Sequence, residues 1–338
     1  LLLVLVLGLI VFLLWPDDGP DLSRINADLL ERETAGEFDP GQLQDLLSYR
    51  FQPGMMYRYS FNRRVHAARE EETFLDLSIS GNLDIHAIDR QGRDLDLIVV
   101  LEVQQMGGIE GTADDASGLL YQNSVYLTVD AAGQPSAVRF PAAMRESERQ
   151  QMLSDLAANF FKVLPEPGQA ATGQILQGDS YSVQSRDTHG HYKASLRILT
   201  EENPVPLSMV KEKYIRSYTP VVVESSDQSI GWNALKGYPL VIESSEVLLV
   251  GPAEFQVRST QSAEFFLTEV TDSRFSKDDL LAFTFLSDIY QDELQDLKSK
   301  ELAAGAELSL DEARLRLASV QNQEEKEKHG TFRDLTVT

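Results

Sequence analysis

The stretch that decides the fold is Leu75-Asp-Leu-Ser-Ile-Ser-Gly-Asn-Leu-Asp-Ile-His-Ala87, in which one phase is apolar or small and the other is polar. Alternation with a period of two predicts a β-strand that buries one face, because successive side chains point to opposite sides. A second run of this kind, Leu95 to Val103, follows the Gln91-Gly92 turn. The two runs therefore predict a long antiparallel hairpin within a large sheet.

Extended patterns recur on both sides of this hairpin. A strand beginning after the Pro53-Gly54 turn places Tyr57, Tyr59 and Phe61 in one phase. Further runs are Leu119–Asp130, Val138–Phe140, Ser180–Ser185, His191–Leu199, Leu207–Tyr218, Pro220–Ser226, Leu240–Val250, Glu254–Arg258 and Glu264–Val270. One apolar-faced helix is predicted from Ser147 to Leu164. We expect a mainly β fold, a large antiparallel β-barrel or sandwich with one packed internal helix, an N-terminal membrane anchor and C-terminal helices.

The first segment, residues 1–15, is predicted to be a transmembrane anchor or a signal segment. Leu1–Trp15 contains no charge and spans roughly 22 Å as a helix, so we expect further residues upstream to complete a crossing of about 30 Å. No Ala-x-Ala cleavage site follows, and Trp15 suits a membrane interface, which favours an uncleaved anchor over a cleaved signal peptide.

Three more segments are expected after the anchor. Residues 16–48 are predicted to be a linker with short helices, residues 49–272 the antiparallel β domain, and residues 273–338 a helical segment with a charged tail. In the last segment Ser276 and Asp279 form a capping pattern, and the apolar spacing predicts a helix from Leu280 to about Ala304.

The composition excludes several classes of function. The chain has 338 residues, 53 of them acidic and 30 basic, a net charge of −23, and no cysteine. Such a charge repels polyphosphates, so no nucleic-acid partner is expected. Without cysteine there can be no disulfide, thiolate zinc site, iron–sulfur cluster or cysteine nucleophile. The absence of cysteine and of Asn-x-Ser/Thr sites fits a bacterial cell envelope protein, anchored in the inner membrane with its soluble part in the periplasm or outside the cell.

Few residues suggest chemistry. His189 and His191 could share a metal with Asp187, but a solvated hairpin tip explains them better. Asp114 and Asp115, in the glycine-rich loop from Gly107 to Gly118, could meet calcium, although their spacing has no EF-hand form and a flexible acidic loop explains them better. No nucleophile elbow or phosphate-binding loop occurs. We expect no cofactor, no metal and no enzymatic activity.

The residues predicted to contact a ligand or partner fall into two groups. Tyr57, Tyr59 and Phe61 either line a ligand cavity or belong to the core. Asp94 and Asp96 lie in the polar phase of their strand, where water or a partner protein would meet them, and Asp114 and Asp115 would join that contact.

The order of elements resembles a known family. Tyr57-Arg-Tyr-Ser-Phe61 opens the strands, Val138-Arg-Phe-Pro141 precedes the single helix, and Gly190-His-Tyr192 begins the next strand. This order, over about Met55 to Val270, resembles the N-terminal β-barrel module of the vitellogenin-like large lipid transfer proteins, which include microsomal transfer protein and apolipoprotein B. The resemblance implies a helix plugging a barrel, a following helical domain, and lipid or protein binding without catalysis. This chain lacks the cysteines of that family.

These observations lead to two functional hypotheses. The first is a membrane-tethered extracytoplasmic binding module for an apolar ligand, such as lipid, or for partner proteins of the envelope. The alternative is a structural scaffold subunit of a bacterial envelope assembly that holds no ligand.

Overall fold

The computed structural model describes residues 19–39, 46–70, 72–107, 122–141, 159–165, 180–187, 189–200, 202–217 and 219–286. The helices that lie wholly within those residues are the α-helix α1 (Ala27–Thr34) and three short 3-10 helices, Leu22–Arg24, Ala253–Phe255 and Lys277–Ala282. The twelve strands of the described residues are β1 (Met55–Arg69), β2 (Glu72–Gln91), β3 (Asp94–Gly107), β4 (Gln122–Val129), β5 (Pro135–Pro141), β6 (Ser180–Asp187), β7 (Gly190–Ile198), β8 (Val205–Ser217), β9 (Val221–Asn233), β10 (Tyr238–Val250), β11 (Val257–Asp272) and β12 (Phe283–Leu286).

All twelve strands join one sheet, in the order β12-β5-β4-β3-β2-β1-β11-β10-β9-β8-β7-β6, and every pairing is antiparallel. Two meanders, β1 to β5 and β6 to β11, meet where β1 pairs with β11. The predicted mainly β fold is confirmed, and so is the hairpin, in which Gln91 pairs with Asp94.

The expectation of a barrel or a two-sheet sandwich is wrong for the part of the chain that the structure describes. Closing a barrel requires the two terminal strands to exchange backbone hydrogen bonds. Here β6 and β12 stand at opposite ends of the strand order, where β12 pairs with β5 and β6 pairs with β7. A single open sheet therefore carries the fold.

One side of the sheet, which we call the inner face, carries the core. Because paired residues share a face, the pairings define a row across five strands: Leu207, Ile230, Ile242, Phe265 and Phe61. All five side chains are buried. Full burial of each such side chain contributes about 1.5–3 kcal/mol relative to exposure, so this face supplies much of the stability of the domain.

The chain before β1 packs on the opposite, outer face. Leu22 lies so close to Gly231 that a Cβ atom there would approach its side chain to 3.1 Å. Arg24 lies over the ring of Phe266, 3.7 Å from its centroid, and binds Glu264 at 2.9 Å. Asn26 caps α1 by accepting backbone N–H groups of the first turn. The segment expected to be a linker therefore contacts the sheet through residues 20–34.

The predicted helix from Ser147 to Leu164 falls mostly outside the described residues. Of residues 159–165, only 159 and 160 are helical, so the expectation that the helix reaches Leu164 is wrong at its end. There the backbone is held by other partners: Lys162 N donates to Tyr49 Oη at 3.0 Å, and Leu164 N donates to Ala132 O at 2.7 Å. Phe160 is buried against Tyr59 on the inner face, with ring centroids 4.7 Å apart.

The predicted helix from Leu280 is also wrong where the structure describes it. Ser276 and Asp279 do form the capping box, but the helix it begins is a short 3-10 helix that ends at Ala282. Strand β12 follows and pairs with β5. Phe283 is buried on the outer face with Ile88, Ile98 and Val100, so tertiary packing outweighs the helical spacing of the apolar residues. Residues beyond 286 lie outside the description.

The predicted anchor, Leu1–Trp15, lies outside the described residues as well. Within residues 19–286, as far as they are described, no helix has the length and apolar character needed to cross a membrane.

His86 makes the outer face sensitive to acid. It is buried edge-on to Phe275, and its Nδ1 lies 3.0 Å from Ser273 Oγ. Burial lowers the pKa of His86 from 6.5 to about 4, an effect that Asp84 opposes and that Arg274 and Arg58 reinforce. The unfolded chain therefore takes up this proton first as the pH falls below 6.5, and stability decreases until the folded state is also protonated near pH 4.

We expect His86→Leu to reduce the loss of stability between pH 7 and pH 4.5. Urea unfolding at the two pH values measures it. The control is His66→Leu, at a side chain that is 43% exposed. An equal loss in wild type and in His86→Leu would contradict the assignment.

Candidate functional site

An aromatic cluster occupies one end of the inner face. Tyr49 lies edge-on to Trp232 with ring centroids 4.9 Å apart, and Tyr57 lies edge-on to both Phe51 and Tyr238 at 4.8 Å. All five of these rings are buried. The strands position three of these rings. Tyr57 is an inner-face residue near the start of β1, and Trp232 and Tyr238 lie on either side of the turn between β9 and β10.

A cavity of about 390 Å³ opens beside this cluster, and we call it the basic cavity. Its walls are Arg32, Glu33, Arg50, Gln52, Met55, Tyr57, Lys236, Tyr238 and Val270. They come from α1, the segment before β1, the turn between β9 and β10, and the adjoining ends of β1 and β11. One wall is therefore apolar and aromatic, and the other is charged.

Glu33 organises the charged wall. The residue is only 3% exposed, and its carboxylate accepts hydrogen bonds from Lys236 Nζ at 2.7 Å, from Arg32 Nε at 3.0 Å and from Tyr238 Oη. Burial alone would raise the pKa of Glu33, but the bonds from Lys236, Tyr238 and Arg32 lower it below its usual value. Glu33 is therefore ionised at neutral pH and holds the two cationic side chains at the cavity.

Arg50 adds a cation that no carboxylate of the described residues balances. Its Nη2 donates to the backbone oxygens of Ala234 and Leu46, while its buried Nε has no hydrogen-bond partner among the residues that the structure describes. Burial, followed by the charge of Arg90, lowers the pKa of Arg50. Together with Arg32, Lys236 and Glu33, the cavity carries three positive charges and one negative charge.

A second cluster of charges lies on the inner face beyond the apolar row. Buried Lys211 donates to Asp187 Oδ2 and to Glu246 Oε2, each at 2.7 Å, and Tyr214 Oη donates to Asp187 at 2.7 Å. Attraction to the two carboxylates outweighs burial and raises the pKa of Lys211. The adjoining space measures about 20 Å³, enough for one water molecule. We call this group the ionic cluster; it joins β6, β8 and β10.

The predicted hairpin turn at His189 and Gly190 is present between β6 and β7, and Asp187, the residue of β6 that pairs with Gly190, belongs to the ionic cluster. Its Oδ1 accepts the backbone N–H groups of His189 and Gly190, at 2.8 and 3.2 Å. Among the residues described, no group of three or more histidine and carboxylate side chains is arranged to hold a metal.

The structure separates the predicted contact residues. Tyr57 lines the basic cavity, whereas Tyr59 and Phe61 are buried in the core, with Tyr59 Oη donating to Pro239 O at 2.8 Å. Asp94 is exposed, and Asp114 and Asp115 lie outside the described residues.

The expectation that Asp96 meets water is wrong, because Asp96 is 5% exposed. Its carboxylate accepts hydrogen bonds from Tyr126 Oη, Thr128 Oγ1 and Gln91 Nε2 at 2.7 to 3.1 Å. These bonds supply hydrogen-bond donors to the Asp96 carboxylate on the outer face, where Phe283 and its neighbours cover β3.

Sequence reasoning missed the basic cavity. Arg32 and Glu33 fall in the expected linker, and Lys236 lies about 200 residues further along the chain, so no local spacing connects them. The one available signal was the group of charged residues within a helix otherwise expected to be a tether.

Comparisons with known proteins do not assign the chain to a family. No family model and no curated protein match the chain. One solved structure, described as lipid–protein interactions in lipovitellin, is similar at 12% sequence identity and a TM-score of 0.47. The match covers 67% of this chain and 26% of that one, so this chain spans about a quarter of its length.

Proposed function

We propose that this chain is a membrane-tethered extracytoplasmic binding module for an apolar ligand, acting by binding and not by turnover. The observation that supports it best is the basic cavity beside the aromatic cluster. Ligand pockets are commonly concave spaces of roughly 300–1,000 Å³ with apolar walls and a few placed polar groups. Met55, Tyr57, Tyr238 and Val270 supply such walls here.

The proposed tether agrees with where the chain enters the sheet. Leu22 contacts the Gly231 and Val241 region, next to the turn that carries Lys236 and Tyr238. An anchor at Leu1–Trp15, a few residues upstream, would hold this end of the sheet near the membrane. The cavity, which lies beside the turn that carries Lys236, would then be close to a source of apolar ligands. Location in the cell envelope is part of the proposal and rests on the sequence.

Native mass spectrometry of the full chain, extracted in mild detergent, tests this function. We expect one bound ligand with an apolar group per chain, and we expect Val270→Trp to remove it, because the indole would occupy the apolar side of the cavity and block it. Val222→Trp introduces the same side chain at an exposed position of β9 and should leave the ligand bound. A ligand-free wild type, or ligand retained by Val270→Trp, would refute the proposal.

One observation supports the alternative, a scaffold subunit without a ligand: the inner face is tightly packed. Phe160 fills the space between Tyr59 and Phe265, with centroid distances of 4.7 and 5.5 Å. For a scaffold, the same spectra would show partner subunits bound to a ligand-free chain. The experiment thus separates the two functions.

A further inference from the structure

We propose that the basic cavity binds the phosphate group of an anionic ligand through Arg32, Arg50 and Lys236. This inference deepens the proposed function by naming the polar part of its ligand. The shared chemistry is a phosphate ester or free phosphate, whether it arrives as a lipid headgroup or as a soluble ion.

The first argument is local charge. The cavity carries a net charge of +2, in a chain whose net charge is −23. A concentration of cations against the overall sign focuses the field on the cavity and attracts an anion there. A dianionic phosphate group would neutralise this net charge.

The second argument is an unmet donor. Arg50 directs Nη2 to two backbone oxygens, but its buried Nε donates to no atom of the described residues. Buried donors of folded proteins nearly always have a partner. Because this Nε is enclosed, a phosphate oxygen reaches it only if the Arg50 side chain turns toward the cavity that it lines, and guanidinium groups suit phosphate because several N–H groups can reach its oxygens.

The third argument is that Glu33 does not compete for the ligand. Its carboxylate already accepts bonds from Lys236, Arg32 and Tyr238. Because an ammonium group has three N–H donors and a guanidinium five, Lys236 and Arg32 keep donors beyond those that bind Glu33. Glu33 therefore orients these cations and leaves donors for an anion.

The opposite wall of the cavity specifies the rest of the ligand. Met55 and Val270 are apolar, and Tyr57 joins the cavity to the aromatic cluster. A ligand with an alkyl group attached to its phosphate would gain apolar contact that free phosphate lacks. This arrangement predicts that alkyl phosphates bind more tightly than inorganic phosphate.

Isothermal titration calorimetry of the full chain in a nonionic detergent tests the inference, with inorganic phosphate, hexyl phosphate and hexanol as the probes. We expect both phosphates to bind, hexyl phosphate the more tightly. Lys236→Gln and Arg50→Gln should weaken both about tenfold or more, since each removes a charge-assisted hydrogen bond. Lys213→Gln, which removes the same charge at an exposed position of β8, should not change the affinity.

The outcomes separate this inference from the proposed function. Equal affinity for the two phosphates, lowered in Lys236→Gln, supports the phosphate site and refutes the apolar ligand. Hexanol binding as tightly as hexyl phosphate, with no effect of Lys236→Gln, overturns the phosphate site and leaves the apolar ligand standing. No binding of either phosphate also overturns the inference. Melting temperatures identify any unfolded variant, and Arg32→Gln, at a side chain 60% exposed, then replaces it.

Discussion

Replacing Lys211 with methionine is expected to lower the free energy of unfolding by about 3–5 kcal/mol. The ammonium group binds Asp187 and Glu246, each at 2.7 Å, within a largely buried site. Methionine fills a similar volume but leaves two carboxylates without their cation. Urea unfolding of the two proteins at pH 7 measures the loss.

The control for this prediction is Lys193→Met. Lys193 binds Glu212 at 2.8 Å, but both side chains are more than a third exposed, so this pair should contribute less than about 1 kcal/mol. Adding Asp187→Asn and Glu246→Gln to Lys211→Met should recover much of the loss, because the two carboxylates that Lys211 neutralised then no longer carry charge. Equal effects of Lys211→Met and Lys193→Met would show that the ionic cluster is solvated.

The pH dependence of this loss follows from the pKa of Asp187. Burial raises that pKa, but Lys211 and Tyr214 lower it below 3.8 overall, so wild type keeps this stability above pH 4 and loses it as the pH falls through the lower, folded value. In Lys211→Met the cation that lowers the pKa of Asp187 is gone, so burial raises that pKa and Asp187 takes up a proton in milder acid than in wild type. The difference between wild type and variant should therefore shrink as the pH falls from 7 to 4.

The second large effect is expected for Phe160→Ala, which should cost about 3–5 kcal/mol in the free energy of unfolding. Phe160 has no exposed surface and packs against Tyr59, Phe265 and Phe161 with centroid distances of 4.7 to 5.5 Å. Alanine would leave a cavity in the middle of the inner face. Denaturant unfolding followed by tryptophan fluorescence, with buried Trp232 as a reporter, measures the change.

Phe255→Ala is the matched control, because that ring is 63% exposed and its loss should change stability by less than about 0.5 kcal/mol. Should Phe160→Ala unfold at the same denaturant concentration as wild type, the segment 159–165 would be peripheral and the inner face would be stable without it. That result would leave the sheet free to accept a ligand in place of the segment.

The alternation of residues predicted the strands well because it depends only on which side chains face the core. It assigned Leu83 and Leu101 to the same face, and they are paired across β2 and β3. The pattern could not tell whether the polar face is also covered. Asp84 and Asp96 look exposed in the sequence, yet Arg58 binds the first at 2.7 Å and the Tyr126 hydroxyl binds the second.

The open form of the sheet and the presence of the basic cavity could not be predicted from the sequence, for a similar reason. Whether β6 meets β12 depends on the twist and width of the whole sheet, and no local pattern records it. The cavity needs α1 to dock beside the turn that carries Lys236. Docking of this kind is a tertiary event between residues far apart in the chain, and single-sequence periodicity contains no information about it.

The pairing of β1 with β11 has a consequence for the order of folding. Strands within each meander are neighbours in the chain, so their hairpins can form quickly and locally. The seam between the meanders joins Arg58 to Glu269, 211 residues apart, and its closure must overcome the entropy of that long loop. We therefore expect the centre of the sheet to assemble after the hairpins of each meander, and until β11 has been synthesised β1 presents an unsatisfied edge, open to aggregation or to a chaperone.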